Sequence, residues 1–201
     1  MRVRPQLTGA VIAIVALASC RGLLGIDDPV VGDGGGGGGN DGLVSPTCRI
    51  PAAFSHPTLG VPQAKHLGSG VSEVIAFGGT LDNDFAPDVF SVDLHAGRGV
   101  FPLGLSAPLT IALSGPELGS ATCGACVYLG ADYGLTGSGP APTQIYWARS
   151  GTLHLETLEP TLAGQVTNVT YQHLDADGNL DADGCVTTID TVTFSVSVGS
   201  G

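Results

Sequence analysis

From Cys48 onward, apolar residues fall at every second position in several separate runs. Phe90, Val92 and Leu94 alternate with Ser91, Asp93 and His95, and Leu109, Ile111 and Leu113 with Thr110 and Ala112. Leu153 and Leu155 alternate with His154 and Glu156, and Val192, Phe194, Val196 and Val198 with Thr193, Ser195 and Ser197. A period of two puts one face of a strand in a core and the other outward. Gly, Pro, Asn and Asp punctuate the runs, and no stretch carries the three-to-four spacing of an amphipathic helix.

Taken in order, the runs predict strands near residues 71–78, 88–95, 98–103, 108–113, 125–130, 143–148, 151–158, 162–174 and 185–198. About nine short strands with frequent turns predict an all-β domain, an antiparallel β-sandwich of immunoglobulin-like or jelly-roll-like topology. Ala148-Arg149-Ser150-Gly151 reads as a hairpin turn, and Asp175 to Gly184 as the loop of a longer hairpin. Apolar parity slips between Ile189 and Val192, which predicts a bulge near Asp190. The segment from Cys48 to the end, residues 48–201, is about 150 residues, a size that supports one core and one domain.

The stretch before it has a different composition. Residues 20–47 are rich in Gly and Asp, with a glycine run from Gly34 to Gly39, and too poor in apolar side chains to offset the entropy of ordering. This linker is expected to be a disordered tether with a reach of roughly 25 to 30 Å.

Residues 1–19 carry Arg2 and Arg4, then an apolar run from Ala10 to Ala18, and Leu17-Ala18-Ser19 leads into Cys20. The run is far short of the roughly 20 apolar residues that a membrane-spanning helix needs. A basic start, a short apolar stretch and small residues before a cysteine make a secretory leader, and this one resembles the lipobox of bacterial lipoproteins. The resemblance implies cleavage before Cys20, acylation of the Cys20 thiol and amine with chains such as palmitate, and a mature chain held on a membrane by lipid. Several acyl chains together anchor stably where one alone does not. Arg21 follows the cysteine, which by analogy with the sorting rule of enteric bacteria implies the outer membrane.

Four cysteines remain after Cys20: Cys48, Cys123, Cys126 and Cys185. An even number in an exported chain predicts two disulfides. A fully extended Cys123-Gly124-Ala125-Cys126 would hold its ends too far apart to bridge, while a turn at Gly124 would permit a local bond and leave Cys48 with Cys185. Because closing long loops gains most in the chain-entropy model, the expected pairing joins Cys48 and Cys185 each to one of the central pair. A redox or zinc role for Cys-x-x-Cys lacks its context: Val127-Tyr128-Leu129 continues as a strand, and no second ligand pair follows.

The whole chain has a net charge of −11. Arg2 and Arg4 fall in the leader, which leaves five basic against eighteen acidic side chains in the mature chain, a charge of −13. Scattered Arg21, Arg49, Lys65, Arg98 and Arg149 make no basic patch, so nucleic acid is not expected as a partner. Attachment to a membrane surface would rest on lipid and not on charge.

Motifs for chemistry are sparse. There is no Gly-x-Ser-x-Gly, no His-Glu-x-x-His and no phosphate-binding glycine loop before a lysine. His56, His66, His95, His154 and His173 lack ligand spacing and read as surface or edge residues. Asp93 and His95 share the outward face of one strand, a spacing compatible with acid and base work but far more common without it. Tyr146 and Trp147 are adjacent in a strand, so one ring faces the core and the other faces away. That second ring is a candidate ligand-binding platform or, more simply, a cover for a half-buried sheet.

The acidic loop supplies a candidate calcium site from Asp175, Asp177, Asn179, Asp181 and Asp183, since calcium takes six to eight oxygen ligands in flexible geometry. It is not an EF-hand, because Leu180 and Val186 stand where glycine and glutamate are required. The alternative is a hydrated acidic turn. Taken together, the chain reads as a membrane-anchored extracytoplasmic lipoprotein. Its domain is expected to bind an envelope glycan or protein, ahead of a purely structural component or a hydrolase without a recognisable motif.

Overall fold

A computed structural model describes residues 48–134 and 141–200. The leader, Cys20 and the tether lie outside the described residues. Among the described residues no helix is long and apolar enough to cross a membrane.

The domain is all-β, as the alternation predicts. Among the described residues nine strands run β1 (Ala53–Phe54), β2 (Gly60–Leu67), β3 (Val74–Thr80), β4 (Val89–His95), β5 (Leu109–Ala112), β6 (Ala125–Ala131), β7 (Gln144–Thr157), β8 (Thr161–Leu174) and β9 (Val186–Ser200). Two short 3-10 turns, Gly70–Ser72 and Gly115–Leu118, interrupt them.

All nine belong to one hydrogen-bonded sheet, and the pairing closes on itself. β2, β3, β4, β6, β7, β8 and β9 pair in that order, each antiparallel to the next, and β9 pairs back to β2 through Ala64 and Val198. Six antiparallel steps leave β9 pointing the same way as β2, so the closing pair is parallel. A ring of seven strands cannot alternate throughout, and the sheet is therefore mixed rather than wholly antiparallel. β1 adds to β9 in parallel and β5 adds to β7 antiparallel.

Inward residues of each strand meet inside the ring. Ile75 and Phe77 of β3, Phe90, Val92 and Leu94 of β4, Val127 and Leu129 of β6, and Leu153 and Leu155 of β7 are all buried. Phe194 stacks on Phe77 at 4.8 Å, and Phe90 meets Phe77 edge-on at 6.0 Å. Each such side chain contributes roughly 1.5–3 kcal/mol by leaving water, which makes this interior the main source of stability.

Four sequence expectations change. Residues 98–103 are not a strand: Gly97 and Gly99 adopt positive φ, and the chain folds into a tight loop with a lone Arg98–Phe101 bridge and Phe101 buried. β2 has no counterpart among the alternating runs, because Pro62, Lys65 and His66 break its pattern. The turn expected at 148–151 is absent, since β7 runs straight through it with irregular register against β8. Gly151, at φ 127°, lies so close to Val169 that a Cβ would meet its Cγ2 at 2.7 Å. Finally, β9 does not slip at Asp190. Opposite it stands Asn168, at φ 52°, and both strands change their inward parity together, so the register continues unbroken.

Candidate functional site

Strand ends fix which loops share one end of the ring. Thr80 pairs with Val89, Val89 with Gly130, Gly130 with Ile145, and Ile145 with Leu174. The β3–β4 and β8–β9 connections therefore lie at one end with the described flanks of the β6–β7 connection, residues 132–134 and 141–143, joined by the segment at Cys48. These connections carry Asp82, Asp84, Asp88, Asp132, Asp175, Asp177, Asp181 and Asp183.

Two clusters form there. In the first, Asp88 is 4% exposed and its Oδ1 accepts the Asp132 N–H at 3.1 Å, while Asp82 Oδ1 accepts the Asp88 N–H at 3.1 Å. Burial, together with the charges of Asp82, Asp132 and Asp84, pushes the Asp88 carboxyl up to about 7, against the pull of the Asp132 N–H. Asp82 is raised as well, first by burial and then by Asp84 and Asp132. Arg49 approaches Asp132 at 3.8 Å.

In the second, His173 Nδ1 lies 2.6 Å from Asp183 Oδ2 and 3.8 Å from Asp181 Oδ2. Burial raises the Asp183 carboxyl, but the Cys185 N–H and His173 outweigh it and hold the group below its ordinary value. The Tyr146 ring lies 5.3 Å from the imidazole, and burial followed by the charges of Asp183, Asp88 and Asp132 drives its hydroxyl above its usual range.

The five residues of the candidate calcium loop divide. Asp181 and Asp183 join His173, a residue that sequence reasoning placed at an edge, with ligand atoms within 4.8 Å of one another. Asp175 instead turns into its own loop, where its Oδ1 accepts the N–H groups of Asp177 and Asn179 at 2.9 and 2.8 Å. Asp181 and Asp183 cap the backbone N–H groups of Asp183 and Cys185 in the same manner.

Tyr146 and Trp147 face opposite ways, as adjacency in a strand requires. Tyr146 is fully buried inside the ring and donates its hydroxyl to Gln144 Oε1 at 2.8 Å. Trp147 lies on the outer face but is only 8% exposed, covered by the Tyr128 ring stacked 5.4 Å away at 4°. Neither ring is an open platform. Asp93 shares that outer face and is also buried; it binds not His95 but the Tyr128 hydroxyl, which donates to its Oδ2 at 3.0 Å. Burial pushes the Asp93 carboxyl up to about 6. His95 is lowered by burial and then by Arg98.

The disulfides differ from the expected pairing. Cys48 joins Cys185 and Cys123 joins Cys126, each with Cα atoms 5.3 Å apart. Residues 119–123 form a turn in which the Thr122 and Cys123 N–H groups both donate to the Gly119 carbonyl. The strand begins only at Ala125, so the ends of Cys-x-x-Cys fall within bonding range. Gly124 packs against the 98–100 loop so tightly that a Cβ would stand 2.4 Å from the Arg98 carbonyl oxygen.

Beside this disulfide lies an open groove of about 460 Å³, walled by the 118–122 turn and the tip of the β8–β9 loop. Arg149 is the one charged residue among those lining it, and its Nη1 donates to the Leu118 carbonyl at 3.4 Å. Comparison of the chain with protein-family models, with curated proteins and with solved structures gives no match.

Proposed function

We propose that this protein is a lipid-anchored module of the bacterial cell envelope, displayed on a flexible tether and built to bind an envelope partner. The observation that carries the reading is the pairing of the four cysteines among the described residues into two disulfides, immediately downstream of a lipobox and a glycine tether. Disulfides of this kind persist in oxidising compartments outside the cytoplasm. The Cys48–Cys185 bond also staples the point where the tether meets the domain to the β8–β9 loop, so a pull on the tether is borne by the ring and not by a fraying terminus. Outer-membrane placement follows from Arg21 after the lipidated cysteine, by analogy alone.

Incorporation of labelled palmitate into the full-length chain and its Cys20→Ala variant, followed by membrane fractionation, tests the anchor. The proposal expects label and membrane association for the parent and neither for the variant. Equal labelling of both would overturn it.

A further inference from the structure

We propose that the Arg149 groove is a binding site for the free carboxylate end of a peptide with an aliphatic last residue. The inference deepens the reading of the domain as a binding module by assigning a site and a ligand class. Three features point the same way. Arg149, half-buried on β7, offers a planar set of N–H donors, of which the Leu118 carbonyl engages Nη1. A guanidinium recognises a carboxylate through paired, charge-assisted hydrogen bonds. Leu118, Leu174 and Leu180 surround it with apolar surface, and Leu180 is 46% exposed. A cation ringed by aliphatic side chains suits an anionic group attached to an aliphatic one.

The walls are held before any ligand arrives. On one side the Thr122 hydroxyl donates to the Pro116 carbonyl at 2.6 Å and the Gly119 N–H donates to the same carbonyl at 3.3 Å. On the other, the Asp175 N–H donates to the Asn179 carbonyl at 2.8 Å, and Leu174 bridges to Leu180. Such preorganisation lowers the ordering cost of binding.

The nearby acidic loop opposes an anion, but most of its carboxylates are engaged elsewhere. Asp175 is turned onto the N–H groups of its own loop, and Asp181 and Asp183 onto backbone N–H groups and His173. Asp177 is exposed, and its charge weakens binding from outside the groove.

Isothermal calorimetry on the full-length protein in detergent tests the site, with acetyl-Ala-Ala-Leu as free acid and as C-terminal amide. The free acid should bind with Kd of about 1 mM and the amide at least about tenfold more weakly. Arg149→Gln should lose the preference for the acid, Leu180→Glu should abolish binding, and Asp177→Asn should strengthen it; Lys65→Gln, on β2 across the ring, should leave it unchanged. Melting curves on each variant confirm folding. Equal binding of acid and amide, no heat up to about 10 mM, or full retention by a folded Arg149→Gln would overturn the proposal. So would equal binding of glucuronate, which would make the ligand an acidic sugar. None of these outcomes bears on the palmitate experiment, so failure of the groove and failure of the anchor are separable.

Discussion

The Asp88 carboxylate accepts the backbone N–H of Asp132, 44 residues further along the chain, and so ties the β3–β4 loop to the end of β6. The tie is made by a buried group with three acidic neighbours. Its folded pKa of about 7 stands above the ordinary 3.8 expected when the chain is unfolded.

Stability therefore depends on pH in a defined direction. Between about 4 and about 7 the folded state holds a proton that the unfolded state has released, so the folded state loses ground as pH rises through that window. Asp93, at about 6, acts in the same sense over a narrower range. Asp88→Asn keeps an oxygen acceptor for the Asp132 N–H and removes the charge. The variant should gain stability over the parent at pH 8, by at most about 4 kcal/mol, and little at pH 4. Denaturant unfolding at the two pH values checks it; an unchanged or lowered midpoint at pH 8 would count against the buried charge.

Glu117 tests a different buried carboxylate. It is 2% exposed and accepts the Val100 N–H at 3.0 Å through Oε1 and the Ala125 N–H at 2.6 Å through Oε2, which clamps the 98–101 loop to the start of β6. Glu117→Ala leaves two buried donors without partners and should cost about 3 kcal/mol. A loss under about 1 kcal/mol would show that the loop is held by other contacts.

Gly151→Ala should cost about 2–3 kcal/mol, because φ 127° disfavours any side chain and the new Cβ meets Val169. Gly178→Ala, also at positive φ but in open space, should cost about 1 kcal/mol. Equal effects at the two sites would remove the close packing of β7 on β8 from the explanation.

Peptide mapping without reductant should recover Cys48 linked to Cys185 and Cys123 linked to Cys126. Replacing the first pair by serine should lower stability by roughly 4–5 kcal/mol, since it closes a loop of 137 residues, and replacing the second should cost less. Peptides linking Cys48 or Cys185 to the central pair would contradict the fold around Cys123.

These cases also show what was legible in the chain. The second half of β9 is readable because Val192, Phe194, Val196 and Val198 alternate with exposed Thr193, Ser195 and Ser197, whereas β4 alternates in sequence but is buried on both faces from Val89 through Leu94. Arg149-Ser150-Gly151 reads as a turn that divides β7 in two, whereas in the fold it stays within one strand, with Gly151 against Val169 and the register shifting against β8. The disulfides were misassigned because loop-closure entropy acts on the unfolded chain, while the turn at Gly119 to Cys123 sets which sulfurs meet. A signal for the His173 cluster was present. Val169 and Tyr171 point inward, so the same parity carries His173 to the ring's end, facing the acidic loop. Asp88 and Asp132 carried no such local cue, since only the closing of the ring brings them together.

The central claim is that the domain is held on the envelope by lipid at Cys20. Mass spectrometry of the N-terminal peptide, from the full-length chain expressed in a bacterium that processes lipoproteins and recovered from its membrane fraction, tests it most directly. The account predicts a peptide that begins at Cys20 and carries acyl chains on the thiol and the amine. A peptide that begins at Met1, or at an unmodified residue past Cys20, would contradict it.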